Sequence, residues 1–159
     1  MGMKLMLACA LSHNADLLIL DEATAGLDPL AREEMLDIVR GFMGDGAGKG
    51  VLMSSHITSD LEKTADLIVC IDEGRILFSV EKDTITELAG IVRCTSAQVF
   101  EIVESDYFEA GSMRIKRNAY GCDVLVPDRS AFMDRFAGVA VDRASIDEYM
   151  MLQLEGERR

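Results

Sequence analysis

Apolar positions run almost unbroken through residues 3–12 (Leu5, Met6, Leu7, Ala8, Cys9, Ala10, Leu11) and predict a helix buried on most sides. Asp16 then precedes Leu17-Leu18-Ile19-Leu20, a short continuous apolar run of the kind found in a parallel strand covered on both faces. Asp28-Pro29 predicts a helix start, with Asp28 able to cap free amides and Pro29 suited to the first helical position. That helix places Leu30, Met35, Ile38, Val39 and Phe42 on one face, with Arg32, Glu33 and Asp37 largely opposite, and stops in a glycine-rich stretch at residues 44–50. Residues 51–55 read as the next strand, and Ser59-x-x-Glu62 as a capping box opening a short helix. Strand, helix and strand in this order make a βαβ unit with a right-handed crossover.

From Asp66 the texture changes. Residues 67–71 and 75–80 flank Asp72-Glu73-Gly74, a hairpin signal. Thr84-x-x-Glu87 predicts a capped short helix ended by Gly90. Beyond it, residues 113–116 and 122–126 can pair around residues 118–121, Asp128 can start a helix through Phe136, and Ser145-x-x-Glu148 opens a last helix. The expected division is an α/β core over residues 1–90 and a small α+β appendage over 91–159.

Composition narrows the classes. Of 159 residues, 49% are hydrophobic and 28% charged, a globular balance. Sixteen basic against 28 acidic side chains give a net charge of −12, which argues against a nucleic-acid or anionic-lipid surface. No apolar run approaches the ~18 residues that span a bilayer, and the first residues lack the pattern of a secretory signal. Cys9, Cys70, Cys94 and Cys122 form no CxxC pair and read as reduced, mostly buried thiols of a cytoplasmic protein. The ten methionines follow no single face and read as core filler.

Asp21 and Glu22 stand at the carboxyl end of the apolar strand, where α/β sheets bind ligands. There a first carboxylate can hold Mg²⁺ through water and a second can orient and deprotonate an attacking water, the two tasks that phosphoryl transfer asks of a protein. A solvated turn is the bland alternative for such a pair. Ala25-Gly26-Leu27-Asp28-Pro29 follows at once, and Ser54-Ser55-His56 ends the next strand, so a crossover helix brings His56 to the same sheet edge.

These motifs, in this order, resemble the ATP-binding domains of ABC transporters over roughly residues 1–85. Residues 17–22 resemble their Walker B strand, 25–28 their D-loop, 54–56 their switch histidine and 66–76 the strand pair that follows. The resemblance implies a partial P-loop NTPase-type (RecA-like) parallel sheet with ATP and Mg²⁺ as cofactors. It also implies that Asp21 orders Mg²⁺ through water, Glu22 is the general base, His56 senses the γ-phosphate, and Asp28 acts across a dimer interface. The partners implied are a second ATP-binding domain, as a homodimer, and a transmembrane permease that alone contacts the membrane. The protein would then sit on the inner face of the cell membrane.

Two departures stand out. Ala23 replaces the usual proline, which removes a rigid turn but no reacting group. Met1 would occupy the fifth position of the family's Leu-Ser-x-Gly-Gln/Met signature, placing the rest of it, the Walker A loop and the Q-loop upstream. The chain is thus expected to be the C-terminal part of a longer domain, unable alone to bind ATP tightly and left with an unpaired apolar sheet edge. Residues 44–50 superficially resemble a phosphate loop. The pattern fails at Met43 and Gly50, and the segment joins helix to strand rather than strand to helix. A non-transport relative and a non-catalytic interaction module are the competing readings. The acidic charge and the absence of heptads count against the first, and the missing Walker A lysine favours the second.

Overall fold

A computed structural model of the chain describes residues 2–13, 15–44, 48–109 and 111–158. Met1 and residues 45–47 of the glycine-rich stretch lie outside the described residues. The chain is of mixed α/β character and divides into two compact units, one running to Ala65 and one starting at Asp66. The expected boundary near Gly90 falls inside the second unit.

In the first unit, α1 (Gly2–Leu11), β1 (Leu17–Asp21), α2 (Pro29–Gly44), β2 (Gly50–Ser54) and α3 (Thr58–Thr64) follow in order. Strands β1 and β2 form a two-stranded parallel sheet with Leu17 opposite Gly50 and Asp21 opposite Ser54. Asp28 starts α2 as expected, its Oδ1 accepting from the Leu30 and Ala31 N–H groups at 3.1 and 3.0 Å. The core gathers Leu7, Leu18, Ala23, Met35 and Phe42.

Three expectations of burial need correction here, and one of capping. Strand β1 is covered on one face, not two: Leu18 is buried at 3%, whereas Leu17 and Ile19 are 56% and 70% exposed. Helix α1 likewise buries Leu7 and leaves Leu5 and Met6 exposed. In α2, Leu36 joins Met35, Val39 and Phe42 inside, while Leu30 and Ile38 face out. The common cause is that an apolar run states a capacity for burial, and the covering partner decides its use. At α3 the Ser59 capping box does not form. The helix starts after Ile57, whose N–H is taken by Ser55 Oγ at 3.0 Å, and Ser59 Oγ accepts from Arg32 instead.

The second unit opens with the hairpin β3 (Leu67–Asp72) and β4 (Arg75–Glu81). Glu73 and Gly74 turn it with φ of 46° and 75°, the pair of left-handed residues that suits the twist of a two-residue hairpin. A π-helical turn, Thr84–Leu88, follows; Thr84 is no cap, and Gly90 is no helix terminator but the first residue of a strand. A Cβ at Gly90 would lie 2.6 Å from Val141 Cγ1, so packing explains the glycine.

The remainder is β5 (Gly90–Cys94), α4 (Ser96–Glu104), β6 (Arg114–Asn118), β7 (Gly121–Val126), α5 (Arg129–Arg135), β8 (Val141–Arg143), α6 (Ile146–Glu155) and β9 (Glu157–Arg158). Its five strands lie in the order β8-β5-β7-β6-β9, all neighbours antiparallel. From β5 to β8 the chain therefore runs βαββαβ with spatial order 4-1-3-2, the ferredoxin-like split βαβ arrangement. Helices α4 and α5 share one core with the sheet, through Val99, Ile102 and Phe132 against Val92, Ile115 and Val124. Helix α6 packs on β6, β7 and the π turn. Caps on α5 and α6 form where expected: Asp128 accepts from Ala131 N–H, and Ser145 and Glu148 satisfy each other's backbone. All four cysteines are free thiols; Cys70, Cys94 and Cys122 are buried and Cys9 is exposed.

Candidate functional site

The parallel register of β1 and β2 puts Asp21 beside Ser54 at the carboxyl edge of the sheet. Ser54 Oγ donates to Asp21 Oδ1 at 2.5 Å and accepts from the Glu22 N–H at 3.0 Å. The same N–H also reaches the Ser54 carbonyl at 3.2 Å, so Glu22 is anchored to the end of β2. Its φ is 48°, a left-handed conformation uncommon outside glycine that turns the chain sharply out of the strand.

Two residues past the end of β2, His56 comes back to that turn. Its Nδ1 lies 2.6 Å from Glu22 Oε2, an imidazole N–H donating to a carboxylate. Both groups reach solvent, with side chains 69% and 39% exposed. The turn itself is closed by Ala25 N–H to Glu22 O at 3.0 Å and Leu27 N–H to Thr24 O at 3.3 Å, with Gly26 at φ 71°. Ala23, standing where the resembling family has proline, is buried in the cluster around Leu18 and Met35.

Asp21, Glu22 and His56 are therefore brought together, and Asp28 is not. It lies exposed at the far end of the turn, its carboxylate occupied in capping α2. Two participants escaped the sequence reading. Ser54 was visible as part of a motif, but its role follows only from the strand register. Asp60, in the first turn of α3, is 1% exposed and binds Thr24 and Arg32. No local pattern announces it.

Among the described residues no cluster of three or more His, Cys, Asp or Glu side chains is arranged to hold a metal ion. That donor set nevertheless fits Mg²⁺ of the kind bound to nucleotides, which keeps several waters and takes one or two carboxylates plus phosphate oxygens. Asp21 supplies such a carboxylate, oriented by Ser54. Chemically the site offers one carboxylate for a hydrated cation and a second, partly exposed, within reach of a bound water. No helix among the described residues is long and apolar enough to cross a membrane.

No protein-family model matches the chain. Curated relatives do. A lantibiotic transport ATP-binding protein of Streptococcus pyogenes is 42% identical over 85 residues, 52% of this chain and 36% of its own length. The Nod factor export ATP-binding protein I of Burkholderia orbicola is 42% identical over 76 residues, covering 46% of this chain and 24% of that protein. A daunorubicin/doxorubicin resistance ATP-binding protein of Streptomyces peucetius is 39% identical over 77 residues, 48% and 23% of the two chains. A solved inward-facing ABC transporter of metal-chelate type aligns with a TM-score of 0.48 and 15% identity, over 82% of this chain and 47% of that one. The resemblance to ABC transporter ATP-binding proteins thus holds over about half of the chain, and the chain spans little more than a third, or less, of the relatives it matches.

Proposed function

We propose that this chain is the C-terminal part of an ATP-hydrolysing subunit of an ABC transporter, acting as a dimer that energises a partner permease at the cytoplasmic face of a membrane. Residues 1–90 belong on this reading to the ATPase domain and 91–159 to an extension. The observation that carries it is the meeting of Glu22 and His56 at 2.6 Å beside Asp21, at the end of parallel strands, in a chain 42% identical over 85 residues to a transport ATP-binding protein.

Each residue's part follows from its chemistry. Asp21, held by Ser54, would hold Mg²⁺ through a water of its shell, and that ion would supply positive charge to offset the phosphates. Glu22 accepts a proton from the attacking water, and its left-handed backbone turns the carboxylate away from the strand toward His56. His56 donates from Nδ1 to Glu22 and keeps Nε2 for the terminal phosphate of ATP, so it reports the presence of that phosphate to the base. Asp28 acts across the interface of two such domains. The phosphates themselves need a cradle of backbone amides, supplied by the upstream part of the domain.

The test is Glu22→Gln in the full-length protein encoded by the complete reading frame. An amide keeps the shape but cannot take the proton, a role worth ~10²–10⁴-fold. ATP should still bind and turnover should nearly vanish. Wild-type turnover would remove Glu22 as the base, and a complete protein that binds no ATP would favour an interaction module.

A further inference from the structure

Thr24 and Asp60 are buried polar residues of the first unit, each 1% exposed, with no direct part in the chemistry above. Thr24 Oγ1 donates to Asp60 Oδ2 at 2.7 Å. Arg32 Nε donates to Asp60 Oδ1 at 2.6 Å, its Nη2 lies 2.5 Å from the same oxygen, and Nη2 also donates to Ser59 Oγ at 3.0 Å. Both carboxylate oxygens are thus engaged, one by the turn and one by α2. Stability alone is a poor reason for such a group, because a buried ion pair is often no better than an apolar filling of the same volume. Geometry is a better one.

Thr24 is two residues beyond Glu22, inside the turn that gives Glu22 its φ of 48°. Asp60 is four residues beyond His56, on the helix that His56 leads into. The contact at 2.7 Å therefore links the segment carrying the carboxylate to the segment carrying the imidazole. Arg32 adds α2, the element on the other side of the turn. A left-handed backbone at a non-glycine residue persists only where its surroundings over-determine it. The strand anchor through Ser54 fixes one end of the turn, and the Thr24–Asp60–Arg32 clamp fixes its middle.

We propose that Asp60, by holding Thr24 and Arg32, is a positioning residue that sets the approach of Glu22 to His56. This rests on the reading of Glu22 as the base. If the clamp is released, the turn can relax, and the carboxylate moves relative to the histidine and the water while the nucleotide contacts stay as they are. The signature is therefore a loss in kcat with little change in KM.

The experiment compares Thr24→Val, Thr24→Ala and Thr24→Ser with Glu22→Gln in the full-length protein with its permease. Valine keeps the shape and removes the donor. Thr24→Val and Thr24→Ala should lower kcat by roughly ten- to a hundredfold, the scale of a small misplacement in an active site, with KM for ATP within about twofold. Thr24→Ser should restore most of the rate. Wild-type kcat in Thr24→Val alongside an inactive Glu22→Gln overturns the clamp while leaving the base in place. Turnover in Glu22→Gln removes the base and the clamp's purpose together. If both donor-lacking variants fail to fold, or if kcat and KM worsen together without rescue by serine, the contact is a structural prop and the inference is wrong.

Discussion

Leu18 and Ile19 are neighbours on β1 that the pleat sends to opposite faces, and the same pair of substitutions in two chain lengths tests what that face is for. Leu18, 3% exposed, sits in the cluster with Leu7, Met35 and Phe42, so Leu18→Ala should cost about 2–5 kcal/mol in the 159-residue chain. Ile19 is 70% exposed, and its register partner Leu52 is 62% exposed. Ile19→Thr keeps the β-branch and should fall within about ±0.5 kcal/mol, as surface substitutions do. In the longer domain proposed above, neighbouring elements would cover this face. Full burial of such a side chain is worth about 1.5–3 kcal/mol. Since Leu17, Ile19 and Leu52 are already partly covered, each stands to gain about 1–2 kcal/mol, or about 3–6 kcal/mol together. That sum approaches the ~5–15 kcal/mol stability of a whole domain, and it explains why the present chain should be poorly soluble by itself. Urea unfolding of both variants in both lengths measures it. The reasoning fails if Ile19→Thr costs 2 kcal/mol or more in the short chain, or if it remains free of cost in the long one.

His56→Ala should reduce turnover and weaken ATP binding mildly while leaving ADP affinity unchanged, because only the terminal phosphate distinguishes the two; calorimetry with each nucleotide shows it, and equal losses would make the histidine structural. Gly121→Ala should destabilise the second unit by several kcal/mol, since its Cβ would lie 2.5 Å from the Cys94 carbonyl oxygen on the facing strand; an unchanged melting curve would contradict the close approach of β5 and β7. Burial pushes the Cys94 thiol up to about 11 from its ordinary 9.0. Its neutral form is thus favoured by the fold, and the stability this contributes is intact below pH 9 and lost as pH rises through about 11. Stability of Cys94→Ala should accordingly fall less steeply across that window than wild type, and Cys9, the exposed thiol, should alkylate long before Cys94 in the native chain.

Local chemistry made much of the fold legible. Asp28-Pro29, Asp128 and Ser145-x-x-Glu148 open helices, and Glu73-Gly74 turns a hairpin, because each satisfies backbone groups within four residues of itself. The same kind of signal failed at Ser59-x-x-Glu62, where a non-local partner, Arg32, took the serine. The same signal stands at Thr95-x-x-Gln98, which forms a full capping box at the start of α4. Burial was the harder matter. Leu17-Leu18-Ile19-Leu20 reads as covered on both faces, yet what covers a strand lies elsewhere in space, and only one face is filled.

The candidate site divides along the same line. Asp21, Glu22 and His56 could be grouped from order alone, since a crossover helix returns the chain to a parallel strand and so brings two carboxyl ends to one edge. Asp28 could be placed as a cap, but its distance from the other three could not be read, because the turn between them is shaped by a left-handed glutamate and by Gly26. Ser54 and Asp60 needed the fold itself. Ser54 holds Asp21 only because the register sets position 21 against 54; a slip by one residue would place Met53 there and turn the serine to the opposite face. Asp60 matters only because α3 lies against the turn and α2, whose Thr24 and Arg32 stand 36 and 28 residues earlier in the chain. The groups proposed to do chemistry are thus legible from motif order, while the groups that aim them are legible only from contacts. Mutational scans guided by motif alone would pass over Thr24 and Asp60.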